Sequence, residues 1–334
     1  MEAGQTAIEL QKLLAQKKKQ LSINPWYPHS TLGGMVSTNI NGPNRMNMGG
    51  LRDSLIGIEY FNGHGEQVKA GGKVVKNVTG YDLTRMMIGH LGGLGLITSV
   101  NFKVQPFMID PHALYLETDE SHWQDAVASL QTNRIPLDWI QVVSASSEGQ
   151  KILLGAGFSG NQERRSRIIS EVKEAFGDSS FLLADEDESK DWSCLPGKER
   201  FQGFIPAYLK HWKLEPPALH LQVSLPTAEM LELSLADLEE WNPRLIIHPI
   251  GADFHLFLGD GNKESQKEFL NKLKNCLPKP SAKMRLIRCV EGIGFEDLDH
   301  FAKPPGYDLS CRLKQHLDPD GLYDASYYWM QHSS

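Results

Sequence analysis

Apolar positions near the start of the chain recur at helical spacing. Ile8, Leu10, Leu13, Leu14 and Leu21 fall largely toward one side, and Thr6 stands where an N-cap belongs. Two short runs follow, Leu55 to Phe61 and Glu66 to Ala70, on either side of Asn62-Gly63. Asn-Gly supplies the positive φ angles of a tight strand connection, so the pair reads as a hairpin. Leu83, Met86, Met87 and Leu91 return to helical spacing behind Asp82, a second capping residue. The run Leu94 to Val104, rich in β-branched and apolar residues, reads as a strand that stops at Pro106, which has no N–H for a continuing ladder.

From Asp110 the pattern becomes a regular alternation of strands and helices, and two β-α-β-β-α-β units can be traced. In the first, strands near His112 to Glu117, Trp139 to Ser144, Lys151 to Phe158 and Ser180 to Ala184 enclose helices near Ser121 to Gln131 and Asn161 to Phe176. In the second, strands near Ala218 to Leu225, Arg244 to Ile250, Phe254 to Leu258 and Lys283 to Val290 enclose helices near Ala228 to Trp241 and Lys263 to Cys276. The charged, proline-bearing stretch Asp185 to Pro217 between them reads as a linker with a short helix around Lys198 to Phe201. A last helix is expected over Tyr307 to Leu317, before the turn Asp318-Pro319-Asp320-Gly321.

Composition narrows the function class. At 334 residues the chain can hold two domains, each with its own core. A net charge of -7 and a pI near 6 argue against a nucleic-acid or anionic-membrane surface, and the cationic cluster Lys17 to Lys19 reads as a solvated helix end. No apolar run approaches the length of a membrane span and no signal peptide precedes Met1, so the expected location is cytoplasmic, with peripheral attachment at the inner membrane through a partner still compatible. Cys194, Cys276, Cys289 and Cys311 are too scattered for an iron–sulfur cluster or zinc ribbon and read as reduced, mostly buried thiols.

Glycines mark the candidate chemistry. In GGKVVKNVTGYDLTRMMIGHLGGLGLITSVNFKVQP, Gly71 to Pro106, a glycine turn, a short helix, a second glycine turn and a strand follow one another. Gly92, Gly93 and Gly95 let the chain reverse and come close to a ligand. Gly93, Gly95 and Thr98 begin like a Rossmann fingerprint, but they lead from helix into strand and the third glycine is missing. Gly72-Lys73 is followed by Val74, which lacks the hydroxyl of a Walker loop. Thr31 to Gly34 reads as a turn whose glycines leave backbone N–H groups bare for a phosphate or a ring edge; a plain tight turn is the alternative.

The stretches STLGGMVSTNINGP (Ser30 to Pro43), GGLRDSLIGIEYFNGHGE (Gly49 to Glu66), the Gly71 to Pro106 segment and LKQHLDPDGLYD (Leu313 to Asp324) resemble the FAD-binding domain of the p-cresol methylhydroxylase (PCMH) and vanillyl-alcohol oxidase superfamily, most nearly glycolate oxidase E subunits. The resemblance implies an α+β fold: a PCMH-type FAD-binding domain, represented by its second subdomain over residues 1–109, a cap of two ferredoxin-like units over 110–300, and a C-terminal segment, 301–334, that returns to the FAD domain. It implies cofactor contacts at Thr31, Gly33, Gly34, Asn39, Asn77, Gly80, Tyr81, Asp82, Gly95 and Ile97. Gly95 and Ile97 also suit the plain start of a strand, and Asp82 suits a helix cap alone.

The same resemblance implies non-covalently held FAD, a small 2-hydroxy acid as substrate, and two partners, a sister flavoprotein and an iron–sulfur subunit. The family's glycine- and serine-containing pyrophosphate loop has no counterpart here. That leaves a longer parent chain, a partner that completes the site, or a flavin-free assembly or scaffolding subunit as alternatives. Gly259-Asp260-Gly261-Asn262 resembles part of a metal motif but lacks its histidine, so it reads as a strand-to-helix turn capped by Asn262. His248 and His255 lie on neighbouring predicted strands and read as structural without a third ligand, so no metal site is expected. Glu291-Gly292-Ile293-Gly294 carries no histidine where the family tends to have one, and no catalytic base is assigned.

Overall fold

The computed structural model describes residues 1–27, 29–72, 82–106, 111–119, 122–144, 152–176, 182–183, 217–234, 236–278, 281–289 and 307–323. They fall into two compact units, one within Met1–Phe107 and Lys303–Ser334, the other within Met108–Arg200 and Phe204–Ala302.

In the first unit, Thr6 caps helix α1 (Ala7–Ala15) in a full capping box, its hydroxyl oxygen accepting from the Glu9 N–H while the Glu9 carboxylate accepts from the Thr6 N–H. Helix α2 (Leu32–Thr38) begins at Thr31 and ends on Asn39 in the left-handed region, φ 52°. Strand β1 (Lys19–Leu21) precedes it. A three-stranded antiparallel sheet places β2 (Leu55–Phe61) between β3 (Gln67–Gly71) and β4 (Leu96–Phe102). Ile58 and Tyr60 of β2 point into a core shared with Met35 and Val36 of α2 and Val100 of β4, while Glu59 between them faces outward. Each such fully buried side chain contributes about 1.5–3 kcal/mol relative to exposure.

The expected strand from Leu94 to Val104 is broken. Lys103 turns its N–H to the Ser54 carbonyl, and β5 (Val104–Pro106) leaves β2 to pair antiparallel with β1, Leu21 opposite Val104. The helix behind Asp82 is also shorter than expected, Leu83–Met86, because Gly89 and Leu91 both take positive φ, 81° and 51°.

The helix Tyr307–Leu317 docks its following turn on the β2–β3 hairpin. The Gly63 N–H donates to Leu317 O at 2.8 Å and the Tyr323 hydroxyl donates to Phe61 O at 3.0 Å. Asp318, buried, accepts from the Leu322 and Tyr323 N–H groups and pairs with the Lys314 ammonium.

The second unit is built on one antiparallel sheet of eight strands: β6 (Pro111–Thr118), β7 (Trp139–Ser144), β8 (Ile152–Ser159), β9 (Leu182–Leu183), β10 (Leu219–Ser224), β11 (Arg244–His248), β12 (Asp253–Leu258) and β13 (Lys283–Arg288). Their order is β13-β10-β12-β11-β7-β8-β6-β9. Each half runs β-α-β-β-α-β, with its strands lying fourth, first, third, second, and the halves join where Ile246 of β11 faces Val143 of β7. The helices Trp123–Thr132, Gln162–Phe176 and Lys263–Cys276 match the expected spans within two residues, and Asn262 caps the last by accepting from Ser265 N–H at 3.1 Å. The helix expected over Ala228 to Trp241 is instead an α turn, Thr227–Leu231, and a 3₁₀ stretch, Ala236–Trp241, which bury Met230 and Leu238 separately.

The predicted linker up to residue 216, Glu291 to Gly294 and Cys194 lie outside the described residues. Cys276, Cys289 and Cys311 are half-buried and form no disulfide among the described residues.

Candidate functional site

The loop from Gly89 to Gly95 is held against the C-terminal turn of α2. Gly89 N–H donates to Val36 O and Leu91 N–H to Ser37 O, both at 2.9 Å. Between those two anchors His90 is only 4% exposed. Its Nδ1 accepts the Leu94 N–H at 3.3 Å, which places the imidazole proton on Nε2, and Nε2 has no hydrogen-bond partner. Burial pushes the His90 pKa down to about 4, so the ring is neutral at physiological pH. Two residues on, Gly92 has φ 85° and nothing within 4 Å of where a Cβ would stand. A buried donor awaiting an acceptor and backbone open to close approach are features that fit a bound cofactor.

The residues implied by resemblance already have work within the fold. Thr31 Oγ1 accepts the Gly34 N–H at 3.1 Å and the Gly33 N–H donates to Ala3 O at 2.8 Å, so the backbone donors expected to be bare are used, and Thr31 to Gly34 is the first turn of α2 rather than a free turn. A Cβ on Gly33 would stand 2.9 Å from the Ala3 methyl. Asn39 caps α2, and its carbonyl accepts from Asn41 Nδ2 at 3.0 Å. Asp82 Oδ1 accepts from the Arg85 N–H at 3.0 Å as a helix cap.

Gly95, φ 153°, is a glycine because a Cβ there would lie 2.5 Å from Phe61 O and 2.9 Å from the Tyr60 ring; its close approach is to β2. Ile97 is buried opposite Tyr60. The fold does gather Gly33 and Gly34 of α2 and its caps Thr31 and Asn39 against β4, which starts just after Gly95 and carries Ile97. Asn77, Gly80 and Tyr81 lie outside the described residues. His90 was missed because a single histidine in a glycine-rich turn gives no periodic signal.

The second unit carries a buried polar sheet face. Strand register puts His220 and Gln222 of β10, Arg244 and His248 of β11, and Asp253, His255 and Phe257 of β12 on one side. His220 Nε2 and His255 Nδ1 are 3.0 Å apart in a hydrogen bond, and His220 stacks on Phe257 with ring centroids 4.3 Å apart. Gln222 Nε2 donates to Asp253 Oδ2 at 2.8 Å, and Arg285 Nη1 reaches Gln222 Oε1 at 3.5 Å.

One ligand atom from each of His248, Asp253 and His255 lies within 4.8 Å of the others, two imidazoles and a carboxylate of the kinds that bind divalent cations. The sequence showed the two histidines but not Asp253, which only the β11–β12 pairing brings opposite His248. Burial lowers the pKa of His220 and of His248 to about 3 and carries His255 well below its usual value, with the neighbouring imidazoles adding to the shift; the Arg244 pKa is also lowered by burial.

Residues 1–71 match the family described as an FAD binding domain, which supports FAD as the cofactor. The chain's homologues are FAD-linked oxidoreductases. The chain is 24% identical to "D-lactate dehydrogenase [cytochrome], mitochondrial" of Arabidopsis thaliana, over 96% of this chain and 60% of that protein. It is 33% identical to the glycolate oxidase subunit GlcE of Escherichia coli (strain K12), over 40% of this chain and 39% of the relative. The chain thus spans less than two thirds of the length of either relative. An alkyldihydroxyacetonephosphate synthase structure superposes with a TM-score of 0.62 at 15% identity, over 96% of this chain and 63% of that one, which is a likeness of fold.

Proposed function

We propose that this chain is an FAD-linked oxidoreductase subunit of glycolate-oxidase type that takes two electrons from a small 2-hydroxy acid. The observation that carries this reading is an FAD binding domain match joined in one chain to a sheet with a buried face of imidazoles, a carboxylate and arginines. FAD, when bound, supplies the two-electron acceptor. The chain's own groups supply recognition. Arg244 and Arg285 carry the fixed charge that suits a substrate carboxylate.

In this reading residues 1–109 and 301–334 form the flavin side and 110–300 the cap. FAD is held without a covalent bond, and a sister flavoprotein and an iron–sulfur subunit accept the electrons.

The test is to purify the chain alone and with co-expressed partners. Flavin absorbance in the parent, its release into the supernatant on acid precipitation, and 2-hydroxy-acid-dependent dye reduction by the complex but not by the isolated chain are expected. A colourless protein would favour the flavin-free scaffolding role, a coloured acid pellet would refute non-covalent binding, and full activity of the isolated chain would refute the need for partners.

A further inference from the structure

The family match ends at residue 71, before the Gly89–Gly95 loop, yet that loop holds the one histidine of the first unit that is both fully enclosed and half-satisfied among the described residues. The large majority of buried side-chain polar atoms have a hydrogen-bond partner. Here the Leu94 N–H donating to Nδ1 at 3.3 Å assigns the ring proton to Nε2, which has no acceptor. The loop cannot easily swing to relieve this, because Gly89 and Leu91 on either side are tied to Val36 and Ser37 of α2. Beside it Gly92 leaves open space in the positive-φ turn where any side chain would stand.

We propose that His90 is a cofactor-contact residue whose Nε2–H donates to an acceptor oxygen of bound FAD. The proposal rests on the FAD reading and adds to it a residue of this chain. A neutral donor in that place gives orientation rather than charge, since burial keeps the ring unprotonated down to about pH 4. The bland occupant of the same position is a buried water, which would satisfy Nε2 without any cofactor.

Two substitutions separate the ring nitrogens. In His90→Asn the amide oxygen replaces the Nδ1 acceptor and the Nε2 donor is gone; in His90→Gln the amide N–H reaches the Nε2 position and the Leu94 contact is lost. The flavin-stripped full chain is titrated with FAD and followed by quenching of flavin fluorescence, with the melting temperature of each apoprotein measured alongside. His90→Asn is expected to melt near the parent and bind FAD about tenfold more weakly. His90→Gln is expected to melt lower and to keep most of the affinity.

As a readout that needs no variant, the Nε2–H signal of His90 in ¹⁵N-labelled parent protein is expected to shift and resist exchange on saturation with FAD. Parent-like FAD affinity in a folded His90→Asn, or an Nε2–H signal indifferent to FAD, overturns the proposal and leaves the cofactor reading intact. A parent that binds no FAD overturns both.

Discussion

Two glycines three positions apart show how differently the same residue can serve. At Gly95 the space a side chain would need is filled by Phe61 O and the Tyr60 ring, whereas at Gly92 it is empty. Gly95→Val is therefore expected to destabilise the first unit by about 1–3 kcal/mol through backbone strain, with a clash cost of similar size, whether or not flavin is present. Gly92→Ala carries only the strain of a side chain at φ 85°, about 1 kcal/mol, and is expected to lower flavin occupancy out of proportion to its effect on melting. Melting curves and flavin-to-protein ratios on both variants check this; flavin loss confined to Gly95→Val would reverse the assignment. Sequence shows that a position is glycine, not which atom stands in for the missing Cβ. For that reason Thr31, Gly33 and Gly34 read as a ligand cradle until their donors were found bonded to Ala3 O and the Thr31 hydroxyl.

At the scale of elements, the caps were legible because capping chemistry is local: Thr6, Asp82 and Asn262 each accept from a backbone N–H three residues on. What was not legible came from distant competition, as where β5 abandons β2 for β1. The C-terminal turn is the strongest case. Burial alone would raise the Asp318 pKa, but the Lys314 ammonium and the Tyr323 and Leu322 N–H groups outweigh it and hold it below the usual carboxylate range. Asp318→Ala removes the carboxylate paired with Lys314, which keeps only Tyr323 O, and leaves two amides without their acceptor, and is expected to cost about 3 kcal/mol. Faster amide exchange in the Asn62–Glu66 turn should accompany it, since Gly63 N–H depends on Leu317 O. Unchanged exchange there would mean the tail does not brace the hairpin. In the second unit Gly157 lies under the Trp139 indole, whose ring atoms already occupy the space of a Cβ. Gly157→Ala is expected to cost about 1–3 kcal/mol by overpacking, read as a lowered urea midpoint.

Across the whole molecule the two β-α-β-β-α-β runs follow from periodicity, and the fold class from the resemblance, but the single sheet the two runs share follows from neither, because the β11–β7 pairing that joins them leaves no mark in either strand. Each unit encloses imidazoles of its own, and this sets a pH dependence. His90, His220, His248 and His255 all have folded pKa values depressed by burial, to about 4 for the first and about 3 for the next two. The unfolded chain, with histidines near 6.5, binds more protons than the folded one between that value and the folded pKa. Stability is therefore complete above about pH 6.5 and is lost as pH falls toward 4. His90 alone removes about 2 kcal/mol between pH 7.5 and 5, and the buried cluster on the sheet acts in the same direction. Urea midpoints at these two pH values are expected to be lower at pH 5. His90→Phe should reduce the difference, because phenylalanine takes up no proton in either state. A midpoint unchanged or higher at pH 5 would mean that the imidazoles are not enclosed in solution.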